Sequence, residues 1–368
     1  MTILFVHLLN DRSGSPRVLK NVIQACVKNG LSVNLIIGSQ GKGVLSELLV
    51  PTKTYPYRRF SNKYFTLFSY VFSQLALFLT LLLSRDARQA SLVYINTVLP
   101  FGAALFAKLF KIRVVYHIHE VSVTPKPLAW FLKSVIRMTA SKVLYVSKAH
   151  LKLFPIKNIN SDVLYNGYDE HFSYAADCSY EPFRDGKFCV LMLSSIRDYK
   201  GLPKFVELSK RFSNCDHIHF DLVLNDEHEK VLEYRKTYQS DSLTIHLPTS
   251  QPGSFYQKAS LLVNLSLPNL CIETFGLTLI EAMAFGVPVI APPVGGPLEI
   301  VRGSVEGFLI DSRDVDALEK TIERLIEQPD MCMSMSIAAR KRAQYFSPEA
   351  FSTAVNRHIL DILNDNCN

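Results

Sequence analysis

What this chain of 368 residues lacks narrows its identity first. Its seven cysteines (Cys26, Cys178, Cys189, Cys215, Cys271, Cys332 and Cys367) are odd in number, scattered and never spaced C-x-x-C. That argues against a zinc site and for reduced thiols in a cytoplasmic compartment. No lysine and arginine block is dense enough for nucleic acid, although the net charge is +7. So modest an excess suits anionic ligands or an anionic membrane surface. No tandem repeat or low-complexity segment is visible. Residues 2–8 are apolar but lack a basic segment before them and a small-residue cleavage site after them. They read as a first strand, not as a signal peptide. Apolar residues make up 48% of the chain, an ordinary globular balance that excludes wholesale disorder. The length favours two domains.

One long uncharged run is present, at 64–83, and it is about long enough to span the ~30 Å hydrocarbon core of a bilayer. Basic residues flank both of its ends (Arg58, Arg59 and Lys63, then Arg85 and Arg88), so no inside-positive bias appears. Strands on both sides of it read as parts of one sheet, and one sheet cannot be split by a membrane. The run is therefore expected to be a helix of the first domain, buried or lying against a membrane.

The first half alternates strands and helices. Residues 2–8 read as a strand, 10–16 as a loop, 17–29 as a helix stopped by Gly30, and 31–37 as a second strand. Such a start suits a doubly wound sheet. Further strands are expected at 92–96, 112–118, 142–146 and 162–165, with helices at 100–110, 127–140 and 147–154. The strand 112–118 runs into His117, Ile118, His119 and Glu120. Period two puts both histidines on one face at the carboxyl end, where open α/β sheets place ligands. The helix at 127–140 carries Trp130, Phe131, Lys133 and Arg137, which suits packing on the sheet or lipid headgroups. A linker is expected near 172–182, where the patterning stops.

The second half restarts the alternation. Strands are expected at 188–193, 218–224, 243–247 and 261–265, and helices at 202–212, 227–238 and 253–258; this pattern predicts a parallel sheet. The stretch from Glu273 to Glu281 follows. Pro268 and Asn269 hold its approach as a loop, Gly276 permits close backbone approach, and 277–285 is a short apolar helix ended by Gly286 before a strand at 287–291. Free N–H groups at such a helix start suit phosphate. Two carboxylates flanking them would repel a bare phosphate, so they suit a neutral partner such as sugar hydroxyls. Asp314 and Asp316 form a D-x-D string, but they precede an apolar-periodic helix at 317–326 and read as cap and first-turn acids, not as metal ligands. The tail 348–363 is a helix.

Together, Glu273 to Glu281, Gly295 to Glu299, and Ser194 to Gly201 resemble the retaining nucleotide-sugar glycosyltransferases of the GT-B fold. These are relatives of sucrose and glycogen synthases and of many bacterial polysaccharide enzymes. The likeness is strongest over 188–310. It implies an α/β protein of two Rossmann-like doubly wound parallel-sheet domains facing a cleft: residues 1–175, residues 176–346, and a last helix in 347–368 crossing back to the first domain.

The resemblance also implies roles. His119 and Glu273 would face the donor sugar. Arg197 and Lys200 would grip the diphosphate, with Gly14 bringing amides near it. Glu281 would hold ribose hydroxyls, amides of Phe275, Gly276 and Leu277 would bind hexose and phosphate, and Gly295 and Gly296 would add further amides. Glu120 stands where the family usually has Asp, only Gly14 survives of a glycine pair, and Asn225 to Glu227 replaces a glycine-rich loop. That last departure leaves the nucleobase open. The implied reaction is metal-independent transfer, without cofactor, from a nucleoside diphosphate sugar to a saccharide hydroxyl. The acceptor is expected to be lipid-linked, at the inner membrane surface, in lipopolysaccharide, capsule or O-antigen assembly. A nucleotide-sugar epimerase or a non-catalytic binding scaffold are the alternatives.

Overall fold

Seven parallel strands make the first sheet: β1 (Thr2–His7), β2 (Ser32–Gly38), β3 (Thr52–Tyr55), β4 (Leu92–Asn96), β5 (Arg113–Ile118), β6 (Lys142–Tyr145) and β7 (Ser161–Val163). Their order is β3-β2-β1-β4-β5-β6-β7. Six more make the second sheet: β8 (Phe188–Ser194), β9 (Ile218–Leu224), β10 (Leu243–His246), β11 (Leu261–Val263), β12 (Val289–Ala291) and β13 (Gly307–Leu309), in the order β10-β9-β8-β11-β12-β13. The structure, a computed structural model, describes residues 1–41 and 43–364. Cys367 lies outside the described residues. The chain forms two units, Met1–Gly167 with the helix Pro348–Asn364, and Tyr168–Ser347.

Central strands such as β1 and β4 are apolar almost throughout and buried on both faces, as parallel strands between helix layers must be. Each sheet reverses its winding once, between β1 and β4 and between β8 and β11. Beyond the carboxyl ends of such a pair, open sheets leave a crevice for ligands. In the first unit that place receives the chain after β1 and after β4, with the end of β5 beside it. In the second it receives the chain after β8 and after β11.

The helix Lys63–Leu83 shows why its sequence looked membrane-like. One stripe (Tyr70, Ser73, Gln74, Leu77 and Leu81) is buried. It packs on the helix Phe101–Leu109, where Gly102 allows the backbones to meet: a Cβ there would stand 2.2 Å from the Gln74 carbonyl oxygen. The opposite face leaves Tyr64, Phe65, Phe68, Val71, Phe72 and Leu75 exposed. Because β3 before it and β4 after it share one sheet, the helix is a crossover of the first unit.

Several expectations shift. The first helix begins at Gly14, not Arg17, because Ser13 stands at its N-cap and Pro16 needs no N–H in a first turn. Residues 170–177, expected at a linker, form a 3-10 helix of the second unit. Phe172 there is fully buried against the rings of Tyr256 and Phe285. The chain changes unit at Gly167 instead. The last helix packs on Gly14–Lys28, and the Arg113 guanidinium donates to the carbonyl oxygens of Ile362 and Leu363 near its end. Strands β3 and β13 and the helix Pro329–Ala343 escape the sequence pattern. The first strand is a mostly exposed, polar edge, and the second is only three residues long.

Candidate functional site

The two loops at the crevice of the second unit are stitched to each other. After β8 the chain turns through the 3-10 helix Asp198–Lys200 into Gly201, whose φ is 83°. A Cβ there would stand 2.0 Å from the Leu265 carbonyl oxygen, so only glycine lets this turn lie on the chain leaving β11. The Leu267 amide donates to the Tyr199 carbonyl oxygen. This seam puts the Lys200 Nζ 2.8 Å from the Glu273 Oε2, which also accepts the Ser266 hydroxyl at 3.2 Å. Burial alone would raise the Glu273 carboxyl. The Lys200 charge and the donors around it outweigh burial and hold it below the usual range. Lys200 is raised in turn: burial pulls it down, but the charge and hydrogen bond of Glu273, with Cys271 and Tyr199 adding to them, together outweigh burial. Glu273 is therefore a fixed anion at neutral pH.

Gly276, with φ 116°, caps the helix Leu277–Ala284. Its left-handed backbone turns the chain abruptly, so the first amides of the helix point out of its N-terminus with the positive end of its dipole. Phe275 is buried and anchors the turn against the ring of Phe346. Glu281, a turn into the helix, is 1% exposed, and its Oε2 accepts the Tyr256 hydroxyl at 2.6 Å. The glycine pair lies close against the backbone of the Glu273 loop. A Cβ on Gly295 would stand 2.4 Å from the Glu273 carbonyl oxygen, and one on Gly296 would stand 2.4 Å from the Phe275 Cα. The Gly296 amide donates to the Glu273 carbonyl at 2.8 Å. That amide holds the loop of Glu273.

Arg197 is half exposed and 3.6 Å from Asp226, in the loop that replaces the family's glycines. Its Nη1 also donates to the Ile196 carbonyl oxygen. Lys200 and Arg197 thus each face an acid, Lys200 tightly and Arg197 loosely. Asp314 caps its helix through the Ala317 amide, and Asp316 pairs with Arg211. Among the described residues no three His, Cys, Asp or Glu side chains are grouped to hold a metal ion.

The first unit gathers the remaining residues at the carboxyl ends of β1, β4 and β5. Gly14 is the first residue of its helix. The His119 Nε2 lies 2.9 Å from the Asn96 Oδ1. His117 is fully buried, with its Nδ1 2.9 Å from the Tyr94 hydroxyl, and burial first, then His150 and His358, push its imidazole down to about 3. It is a core residue. His119 is likewise held well below its ordinary value, by burial and by the facing histidines. The Glu120 carboxylate accepts the amides of His119 and Val98. Asn96, Tyr256 and Ser266 escaped the sequence analysis. The signal available for Asn96 was a lone polar residue closing an apolar strand.

Comparison with known proteins accounts for both halves. Residues 12–172 match the family described as Glycosyltransferase Family 4, and residues 179–342 match Glycosyl transferases group 1. Human alpha-1,3/1,6-mannosyltransferase ALG2 is 33% identical over 193 residues, 48% of this chain and 46% of that protein. The D-inositol 3-phosphate glycosyltransferase of Streptomyces griseus is 34% identical over 117 residues, 31% of this chain and 24% of its own. The matches thus span half or less of the length of these curated relatives. The structure of Anabaena HepE in complex with UDP-glucose aligns with a TM-score of 0.78 at 20% identity, covering 98% of this chain and 100% of that one. So low an identity speaks to fold alone, and the fold is GT-B. With both halves matched and the two sheets wound alike, the chain belongs to the group 1, family 4-like glycosyltransferases.

Proposed function

We propose that this protein transfers a glycosyl group from a nucleoside diphosphate sugar to a hydroxyl of a lipid-linked saccharide, with retention of anomeric configuration, in surface-polysaccharide assembly. One observation carries the donor reading. The Lys200–Glu273 pair, at 2.8 Å, stands beside the amide end of the helix that Gly276 caps. That arrangement offers a cation and aligned N–H groups to a diphosphate, and a fixed carboxylate to sugar hydroxyls. Charge grows on the leaving diphosphate during transfer, so preorganised amides with Lys200 and Arg197 stabilise the transition state without rearrangement. Glu273 is committed to its ion pair, and we assign it to hydroxyl contact, not to nucleophilic attack. The reaction needs no metal in this reading. Relatives whose names are mannosyl- and inositol-phosphate glycosyltransferases support the reaction class.

The acceptor reading rests on the first unit. Its apolar helix face, with Arg58, Arg59 and Lys63 at one end, fits an anionic membrane on the cytoplasmic side. Thermal shift of the purified chain against UDP, GDP, ADP and their sugars tests the donor assignment. Saturation by one nucleoside diphosphate is expected to raise the Tm on the order of 5 °C. Lys200→Ala should abolish that rise. No response to any of the three would overturn the proposal.

A further inference from the structure

We propose that Asn96 is a positioning residue of the transfer reaction: it locks His119 into the tautomer protonated on Nε2, which leaves Nδ1 as acceptor for a sugar hydroxyl. The inference rests on the reading of His119 as a sugar contact and assigns the device that prepares it.

Asn96 is the last residue of β4 and is wholly buried. Its side chain joins three segments. Nδ2 lies 3.1 Å from the Ser15 carbonyl oxygen and 3.2 Å from the His7 Nδ1, while Oδ1 lies 2.9 Å from the His119 Nε2. The Ser15 carbonyl decides which way the amide faces. A carbonyl oxygen can only accept, so the atom opposite it must carry hydrogen. Reversing the amide would set two oxygens against each other at that distance. With the orientation settled, Oδ1 can only accept, and the His119 Nε2 must carry the proton.

A neutral imidazole has one proton to place. Burial and the neighbouring histidines keep the His119 ring uncharged near neutral pH. Its single proton is committed to Asn96, so Nδ1 is a lone pair.

The main chain is tied by the same turn. Thr97 has φ 80°, a left-handed conformation that strains a threonine. That turn delivers the Val98 amide to the Glu120 carboxylate, which also accepts the His119 amide at 3.2 Å. Asn96 thus orients the ring of His119, and the residue two after it secures the backbone. Through Ser15 the same side chain reaches the turn that carries Gly14. Strain sustained by the hydrogen bonds on either side of it is what a preorganised site requires.

The experiment uses the full chain labelled with 15N-histidine, with long-range proton–nitrogen spectra and transfer kinetics on the same samples. His119→Ala assigns the resonance. Wild-type His119 is expected as the Nε2–H form. Asn96→Ala should raise the share of the Nδ1–H form and lower kcat/KM about threefold to tenfold, the range of one neutral hydrogen bond. Asn96→Asp is the conservative arm. It keeps an acceptor before Nε2, sets its second oxygen against the Ser15 carbonyl in place of the donor, and adds a charge that favours the imidazolium. The ionisable groups facing His119 are His7 on β1, His117 on β5, Glu120 beyond it, and His150 on the helix Lys148–Leu153. None of them changes in this variant. Its His119 should titrate at higher pH than wild type, and its activity should gain an acidic limb, recovering as pH rises and Nδ1 regains its lone pair. Wild-type His119 protonated on Nδ1, an unchanged tautomer in Asn96→Ala, or a wild-type pH profile in Asn96→Asp would each overturn the lock. Transfer that survives His119→Ala would instead overturn the sugar contact, whatever the spectra show.

Discussion

Lys200 and Glu273 lie 73 residues apart, yet each sets the charge of the other. Removing one partner of a partly buried pair leaves the other uncompensated, so neither position tolerates a neutral residue cheaply. Lys200→Ala and Arg197→Ala are each expected to lower kcat/KM about 10- to 100-fold, the range of a charge-assisted contact. Steady-state kinetics on variants whose folding is checked by circular dichroism measures this, and activity within about twofold of wild type would remove the residue from the site. Arg197 should be the cleaner test, since its half-exposed pairing with Asp226 contributes little to stability. The acids at 314 and 316 make the opposite case. Asp314 spends its side chain on a cap and Asp316 on Arg211. Transfer should therefore survive EDTA, and Asp314→Ala should cost about 1 kcal/mol of stability rather than catalysis. Activity abolished by EDTA and restored by Mn²⁺ or Mg²⁺ would refute metal independence.

At the scale of elements, the helix Lys63–Leu83 carries the membrane proposal. Its buried stripe satisfies the fold, and the exposed aromatic and aliphatic face on its other side adds nothing to the core. A second exposed element lies two helices away on the same layer: Trp130 and Phe131 on the helix Lys126–Thr139, where Phe131 meets Phe101 edge-on at 5.1 Å. Apolar side chains beside cations bind anionic headgroups reversibly, with each Lys or Arg near the surface adding about 1 kcal/mol. Sedimentation with phosphatidylserine-containing vesicles should capture the protein at low salt and release it at high salt. Phe65→Ser with Phe68→Ser should weaken capture without lowering the Tm, because both rings are already exposed. Protein that stays in the supernatant at low salt would defeat the proposal. Resistance to both salt and alkaline carbonate would mean the helix crosses the membrane.

For the whole molecule, acid should act first on the unit that holds the buried imidazoles. His7, His117, His119, His150 and His358 are all lowered, burial being the largest cause in each. A lowered base takes up its proton more readily when unfolded. Stability is therefore intact above the unfolded value near 6.5 and is lost as pH falls below it. For His117, at about 3, the loss by pH 5 is about 2 kcal/mol. Protection of the β4 and β5 amides, corrected for the slower intrinsic exchange in acid, should fall between pH 7 and pH 5, and thermal scans should show the Tm falling by at least about 4 °C. A flat Tm across that window would show that these rings are not buried and neutral. The Lys200–Glu273 pair responds elsewhere. Its carboxylate is lowered, so its contribution is present above the ordinary carboxyl value and is lost only as pH falls below that.

Local patterning suffices for the class of the fold and for the run of elements around Gly276. Strand and helix periods are local, and so are the glycines that stop or cap helices, which is why β4, β9 and the helix beginning at Leu277 are legible in the residue pattern. Gly276 to Glu281 is one turn and one helix, readable as a string. Tertiary structure alone decided what is joined across crossovers. Asn96 meets Ser15 81 residues away and His119 23 residues away, and no period connects them. Gly296 gives its amide to Glu273, and Tyr256 orients Glu281, because β11 and β12 lie side by side in the sheet. The unit boundary moved for the same reason. Phe172 looks like linker in the sequence and becomes core only where Tyr256 and Phe285 meet it. Hydrogen bonds and ring contacts of this kind are properties of neighbours in space, and topology chooses those neighbours.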